Sequence, residues 1–400
     1  MIDARYTPTD ESHVPRIASM ISTAFTGSVE DCEKWIRSTS LDDFRTVCRA
    51  SDGRADACMR RIPMGQFFGG RSVPMIGVAG VAVAPESRGR GYARWMMRRA
   101  LEEMHERGEP LSALYASTQP LYRQVGYEQA GYRVQFTLPL SEISVHSRDG
   151  DGKNKGTWET VTFDERERLM PAYRAFASRF DGPLDRGPYI WKRLFDWRDR
   201  KAVGYTHTSA SGEIDAYALV SQKRKENGRN ALELTDFAFT TPDAGRRLLG
   251  MLHDYASMAD DVSFYAGPTH PILALVDQQR AFATYREVWM LRLVRVADAL
   301  RQRGYSPAAE GEVHLHVTDA TLPANSGPLV LRMRAGRAEV SPGGRGDVRL
   351  SERALASLYS GFASPGWLRL SGMAEDDERG IATLSQVFGG GGAPWMNDFF

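Results

Sequence analysis

The sequence predicts a mixed α/β chain: two tandem strand-and-helix units of like pattern, then a smaller α+β domain. Three observations predict it. The 400 residues exceed what a single hydrophobic core usually organises. The first unit runs strand-helix-strand-helix-strand and a second unit echoes it, and near Leu300 the pattern changes to short alternating strands.

The elements follow in order. A helix is expected from Asp10 to about Thr26, then strand-like runs at "FRTVCRA" and "ACMRRIPMGQFFGG". "PMIGVAGVAVAP" is the longest apolar run; rich in valine and without strict alternation, it reads as a strand buried on both faces. From Ala93 to Met104 the apolar residues keep the spacing of one helix face, with Met96, Met97 and Met104 toward the core. Gly108 and Pro110 stop that helix. A strand "LSALYAS", a short helical "QPLYRQVGYE" and a strand "YRVQFTLPL" complete the first unit. The polar, glycine-rich stretch from Ser147 to Thr157 reads as a linker. After it, helical "DERERLMPAYRAFASRF" and "PYIWKRLFDW", strands "DAYALVSQKR" and "ALELTDFAF", a helix "AGRRLLGMLHDYASM" and a strand "VSFYAG" echo the first unit, with a shortened turn before the helix. "EVHLHVTD", "GPLVLRMRAG" and "RAEVSPG" are strands of the last domain, which continues through a helix "SERALASLYSGF" to the ending "TLSQVFGGGGAPWMNDFF". The run Gly389 to Gly392 reads as a flexible lead into that ending.

Composition excludes several classes of function. With 51 basic and 50 acidic side chains, no global field draws nucleic acid or an anionic membrane. Cys32, Cys48 and Cys58 fit neither a disulfide framework nor a zinc site, so plain thiols in a reducing cytoplasm are expected. His314 and His316 alternate on one strand without a cysteine or carboxylate cluster, which reads as surface and not as a metal site. No basic-then-apolar leader and no long apolar span is present in the sequence.

Chemistry concentrates in "VAVAPESRGRGYAR", residues 81 to 94, where a strand passes through two glycines and two arginines into a helix. A helix N-terminus offers unpaired N–H groups and a positive dipole end, glycines permit close approach, and arginines add charge. A pyrophosphate fits such a cradle. The same stretch also reads as a glycine-bearing turn with solvated arginines. It is not a Walker loop, which ends in Gly-Lys-Ser or Gly-Lys-Thr, nor a three-glycine dinucleotide turn.

Arg88-Gly89-Arg90-Gly91-Tyr92-Ala93 resembles the Arg/Gln-x-x-Gly-x-Gly/Ala signature of the GNAT superfamily of N-acetyltransferases, with its preceding strand and following helix. The whole layout is similar to that of the Eis (enhanced intracellular survival) family. The resemblance implies two tandem GNAT-like domains, 1–148 and 157–297, the second with a degenerate coenzyme loop, and a sterol carrier protein-like α+β domain, 298–400, that ends at the active site. It implies acetyl-coenzyme A as cosubstrate, no metal, and coenzyme contacts at Val81, Ala82 and Val83, at Arg88, Gly89, Arg90, Gly91, Tyr92, Ala93 and Arg94, and at Ser117 and Thr118. It makes Tyr122 the proton donor and the terminal carboxylate of Phe400 the base. Without the resemblance, Tyr122 reads as a packing residue and Phe399 and Phe400 as a docked chain end.

Acceptors implied by the resemblance are amines: polyamine-type or aminoglycoside-like molecules, or lysine side chains, with a homohexamer as the assembly. The segment "AFTGSVEDCEKW" occupies the place of the acceptor wall, where Glu30, Asp31 and Glu33 attract a cation and Trp35 offers an aromatic face. Where aminoglycoside-modifying members carry an acidic residue after the positions of Phe25 and Thr26, this chain has Gly27. The resemblance therefore reaches acetyl transfer further than aminoglycoside specificity. A non-catalytic sensor of acyl-coenzyme A or lipid would carry the same turn and is the alternative reading.

Overall fold

The computed structural model describes residues 2–143, 156–197, 200–278, 280–375, 378–389 and 391–400. Most of the expected linker, and Gly390 within the glycine run, lie outside them.

Strands β1 (Ala4–Pro8), β2 (Phe44–Arg49), β3 (Ala55–Phe68) and β4 (Arg71–Val83) form an antiparallel set, and β5 (Leu111–Tyr115) joins β4 in parallel. Helices α1 (Val14–Phe25) and α2 (Val29–Arg37) cover one face, and α3 (Tyr92–Glu106) covers the other. Local chemistry sets the helix ends: the Ser28 hydroxyl accepts the N–H of Asp31 at 3.0 Å, and acids open α2 while Lys34 and Arg37 close it. On α3 the residues Met96, Met97, Ala100, Leu101 and Met104 are buried, the face that the spacing predicts.

Strand β6 (Glu128–Pro139) does not pair with β5. Strand Phe282–Leu293, far along the chain, lies between them and is antiparallel to both. On its other side β6 pairs with Ala259–Ala266, so a single 13-stranded sheet runs through both units. Boundaries along the chain are thus not boundaries in space. The second unit also contains a strand, Val203–Thr208, that the sequence reading left unassigned.

The last domain carries a five-stranded sheet in the order Arg337–Pro342, Gly327–Arg334, Gly311–Thr318, Val348–Ser351, Ala374–Glu375. Its helix Glu352–Tyr359 packs on β6, where the Ser357 hydroxyl donates to the Gln129 carbonyl at 2.8 Å. His314 corrects the surface expectation: it is buried, accepting the Arg345 N–H on Nδ1 at 3.1 Å and so donating from Nε2 to Glu312 at 3.0 Å. The ring is occupied by protein partners, and no metal-holding cluster occurs among the described residues. None of the three cysteines is in a disulfide. Among the described residues no helix is long and apolar enough to cross a membrane.

Candidate active site

The site begins where β4 and β5 part. They pair only at Met75, Ile76 and Gly77 with Leu111, Ser112 and Ala113. Beyond Gly77, β4 keeps β3 alone as neighbour, while Leu114 and Tyr115 turn to strand Phe282–Leu293. A wedge opens between the strands. Its β4 edge is bulged near Gly80, whose φ of +58° is costly for any side-chain-bearing residue and against which the Trp35 ring packs. The Ala84 N–H donates to the Asp56 carbonyl at 2.9 Å. Val83, opposite Ala57, therefore occupies a non-hydrogen-bonded position of the β3–β4 ladder, and its N–H and C=O point away from β3 into the wedge. The same alternation turns the groups of Ala82 back toward β3.

At the mouth of the wedge the chain enters α3. Gly91, at φ +83°, is the N-cap; no side chain caps the helix and no acid sits in its first turn. The first intrahelical bond is Trp95 N–H to the Gly91 carbonyl, which leaves the N–H groups of Tyr92, Ala93 and Arg94 without intrahelical partners. A cavity of about 310 Å³ lies there, lined by Val83, Arg88, Gly89, Gly91, Arg94 and Gln124 among others. Arg88 and Arg90 are exposed, and Arg94 reaches Gln124 at 3.4 Å. Open amides, positive charge and no side chain in the seat fit a pyrophosphate. The Tyr92 ring is buried in the core beneath α3, so this residue faces the cavity through its backbone.

Ser117 and Thr118 are exposed on the link from β5 to helix α4 (Gln119–Arg123). Tyr122 on α4 is 7% exposed and joins the core on the α3 face, edge-on to Tyr127 at 6.1 Å. Its hydroxyl has no hydrogen-bond partner among the described residues, and burial raises its pKa to about 12.

Phe400 reaches the wedge from the opposite face. Its ring lies against Gly77, with Cε2 2.8 Å from where a Cβ would stand, so any side chain at the vertex would push on the Phe400 ring. The ring is edge-on to Tyr115 at 5.7 Å and is 6% exposed. Phe399 is 38% exposed, stacked near Tyr115 and the guanidiniums of Arg133 and Arg193. The incoming tail is held by backbone bonds from Tyr132 to Pro394 and Met396, and from Trp395 to Asp181. The Asp398 carboxylate accepts both oxygens' bonds from Arg186 Nε, at 3.0 and 3.1 Å. The sequence reading missed Tyr115, Arg133, Arg186 and Asp236. A signal did exist, because a lone carboxylate inside "APWMNDFF" requires a cationic partner if its neighbours are buried.

Trp35 stands at the wedge wall and donates from Nε1 to the Tyr189 hydroxyl at 2.9 Å. Glu30 stands apart, exposed and paired with Lys34 at 2.7 Å. Asp31 and Glu33 are engaged likewise, with Ser28 and Arg37.

Comparison with known proteins identifies the domains. Residues 5–130 and 182–296 match acetyltransferase (GNAT) domain families, and residues 296–397 match the sterol carrier protein domain. A GCN5-related N-acetyltransferase from Anabaena variabilis is 31% identical, with a TM-score of 0.92 over 99% of this chain and 100% of that one. One from Kribbella flavida is 27% identical, with a TM-score of 0.86 over 100% and 98%. The N-acetyltransferase Eis of Mycobacterium tuberculosis is 27% identical over 296 residues, 72% of this chain and 71% of its own. The chain belongs to the GCN5-related N-acetyltransferases as an Eis-like member, an enzyme of the acyltransferase class with two GNAT domains and a sterol carrier protein-like domain.

Proposed function

We propose that the chain transfers acetyl from acetyl-coenzyme A to a primary amine by direct attack, with Tyr122 as general acid and the Phe400 carboxylate as general base. The observation that carries this reading is the wedge, with the Val83 N–H directed into it, Tyr122 on one face and Phe400 at its vertex on the other. Acetyl-coenzyme A supplies the acetyl group as a thioester. The amides of Tyr92, Ala93 and Arg94, with Arg88 and Arg90, hold its pyrophosphate. The Val83 N–H hydrogen-bonds the acyl oxygen as negative charge develops there. The terminal carboxylate, ionised at neutral pH, takes the proton of the acceptor ammonium. The Tyr122 hydroxyl, without a hydrogen-bond partner among the described residues and with its pKa raised to about 12, keeps its proton for the departing sulfur. The Trp35 face lines the acceptor side. A homohexamer of cytoplasmic chains completes the reading, with light scattering as its check.

Titration with acetyl-coenzyme A by calorimetry, then thiol release against polyamines, aminoglycosides and lysine peptides, tests this function. Coenzyme binding with turnover on at least one amine class is expected; no coenzyme binding sinks it. One residue added after Phe400 displaces the carboxylate and spares the coenzyme turn. Undiminished turnover in that variant refutes the role of Phe400.

A further inference from the structure

We infer that Arg186, a residue of the second unit, is a positioning residue for acetyl transfer in the first: it orients the 394–400 segment so that Phe400 ends at the wedge. The inference rests on the reading of Phe400 given above.

Arg186 lies on the link between strand Leu184–Asp185 and helix Pro188–Phe195, with its side chain 1% exposed. Two of its nitrogens form a fork with Asp236, Nη1 to Oδ2 at 2.5 Å and Nη2 to Oδ1 at 2.7 Å. Its third nitrogen, Nε, donates to both oxygens of Asp398 at 3.0 and 3.1 Å. The Tyr173 ring lies 3.7 Å from the guanidinium carbon, and the Tyr217 hydroxyl donates to Asp236 at 2.5 Å. One buried cation thus serves two buried carboxylates, and burial pushes the Asp398 pKa up against the pull of Arg186.

Docking alone does not call for such a group. Trp395 and Met396 are buried, and three backbone bonds already hold residues 394–396. A buried ion pair stabilises no better than well-packed apolar side chains, and each buried charge costs several kcal/mol to desolvate. What a guanidinium–carboxylate pair adds is direction. The Asn397 carbonyl accepts from Arg133 Nε at 2.9 Å, and the Asp398 carbonyl accepts from the Tyr115 hydroxyl at 2.8 Å. With two successive carbonyls and the side chain of Asp398 all fixed, the chain leaves residue 398 on one course, toward Gly77. Tyr115 and Arg133 belong to the first unit and Arg186 and Asp236 to the second, so the last residues are aimed by both.

The experiment compares Asp398→Asn and Arg186→Met in the natural chain and in the chain extended by one residue after Phe400. Asp398→Asn keeps the Arg186–Asp236 fork and therefore the fold. In the natural chain kcat is expected to fall about tenfold for Asp398→Asn and roughly a hundredfold for Arg186→Met, the cost of a misplaced catalytic group. The calorimetric affinity for acetyl-coenzyme A stays unchanged. In the extended chain the same substitutions add nothing, because the group they position is already displaced. A silent Asp398→Asn, or equal losses in both chains, overturns the inference while the Phe400 reading stands. A silent extension overturns the Phe400 reading and the inference with it.

Discussion

The two acetyltransferase units share a plan and differ in whether it is open. In each, a strand pairs in parallel with its neighbour and then parts from it: β4 beyond Gly77, and strand Asn230–Phe239 beyond Leu234. Each carries a bulge just beyond the parting, near Gly80 and at Thr235. The first wedge leads through eight residues, 84–91, to an uncapped helix. The second leads through Thr240 and Thr241 to helix Pro242–His253, where the Thr241 hydroxyl accepts the Ala244 N–H, Pro242 has none to offer, and Asp243 sets a negative charge in the first turn. One turn into that helix, Leu275 and the Phe239 ring press on Gly245, whose N–H is already bonded to the Thr241 carbonyl. Inside the second wedge the Trp395 ring packs at steep angles against Phe176, Phe180 and His270. One tail therefore plugs the second wedge with Trp395 and reaches the vertex of the first with Phe400. The two units share a backbone plan, and the second has its wedge filled from inside.

The first unit is the easier one to break. Tyr122→Phe removes one oxygen from a buried ring and is expected to lower kcat roughly a thousandfold while coenzyme affinity and melting temperature hold. Because the Tyr122 pKa is about 12, the natural enzyme should lose no activity to its ionisation below pH 10. Gly91→Val forces a β-branched residue into φ +83° and lays methyl groups over the open amides; coenzyme affinity should fall roughly a hundredfold by calorimetry.

The second unit yields to acid instead. His270 is buried inside the plug, and burial lowers its pKa from 6.5 to about 3. Between those values the unfolded chain binds a proton that the folded chain refuses, so stability is full above pH 6.5 and falls as pH drops toward 3. The expected slope is about 1.4 kcal/mol per pH unit from this one group. Urea unfolding at several pH values measures it, and His270→Gln, which cannot titrate, should flatten it.

How much of this was legible in the sequence depended on range. The glycine turn into α3 was legible because its chemistry is local: glycine at the N-cap, arginines beside it and a valine-rich strand before it fall within fourteen residues. Helix α3 was legible for the same reason, its buried face following from spacing alone. Strand Phe282–Leu293 was not, since its first five residues are exposed and its last five buried, a change of environment that hides any single period. Its place between β5 and β6 is a pairing across roughly 150 residues, which no window can report. Glu30 was misleading for an opposite reason: acids in a first helix turn have a local use at the dipole and with Lys34, and here that use accounts for it. Arg186 was invisible because its two partners, Asp236 and Asp398, lie 50 and 212 residues away.

The smallest expected effect tests the comparison from the closed side. Thr241→Ala removes the hydroxyl that caps helix Pro242–His253 and returns one N–H to solvent, as in α3. If a free amide were all that the second turn lacked, this variant would take up a second coenzyme. It should not, because Pro242 still withholds an amide and Asp243 still repels a pyrophosphate. The expected result is a stability loss of about 1 kcal/mol in urea, the usual worth of a cap, with coenzyme stoichiometry unchanged at one per chain. Calorimetry that counts two sites would show that the cap alone had closed the second unit, and that Pro242 and Asp243 had not.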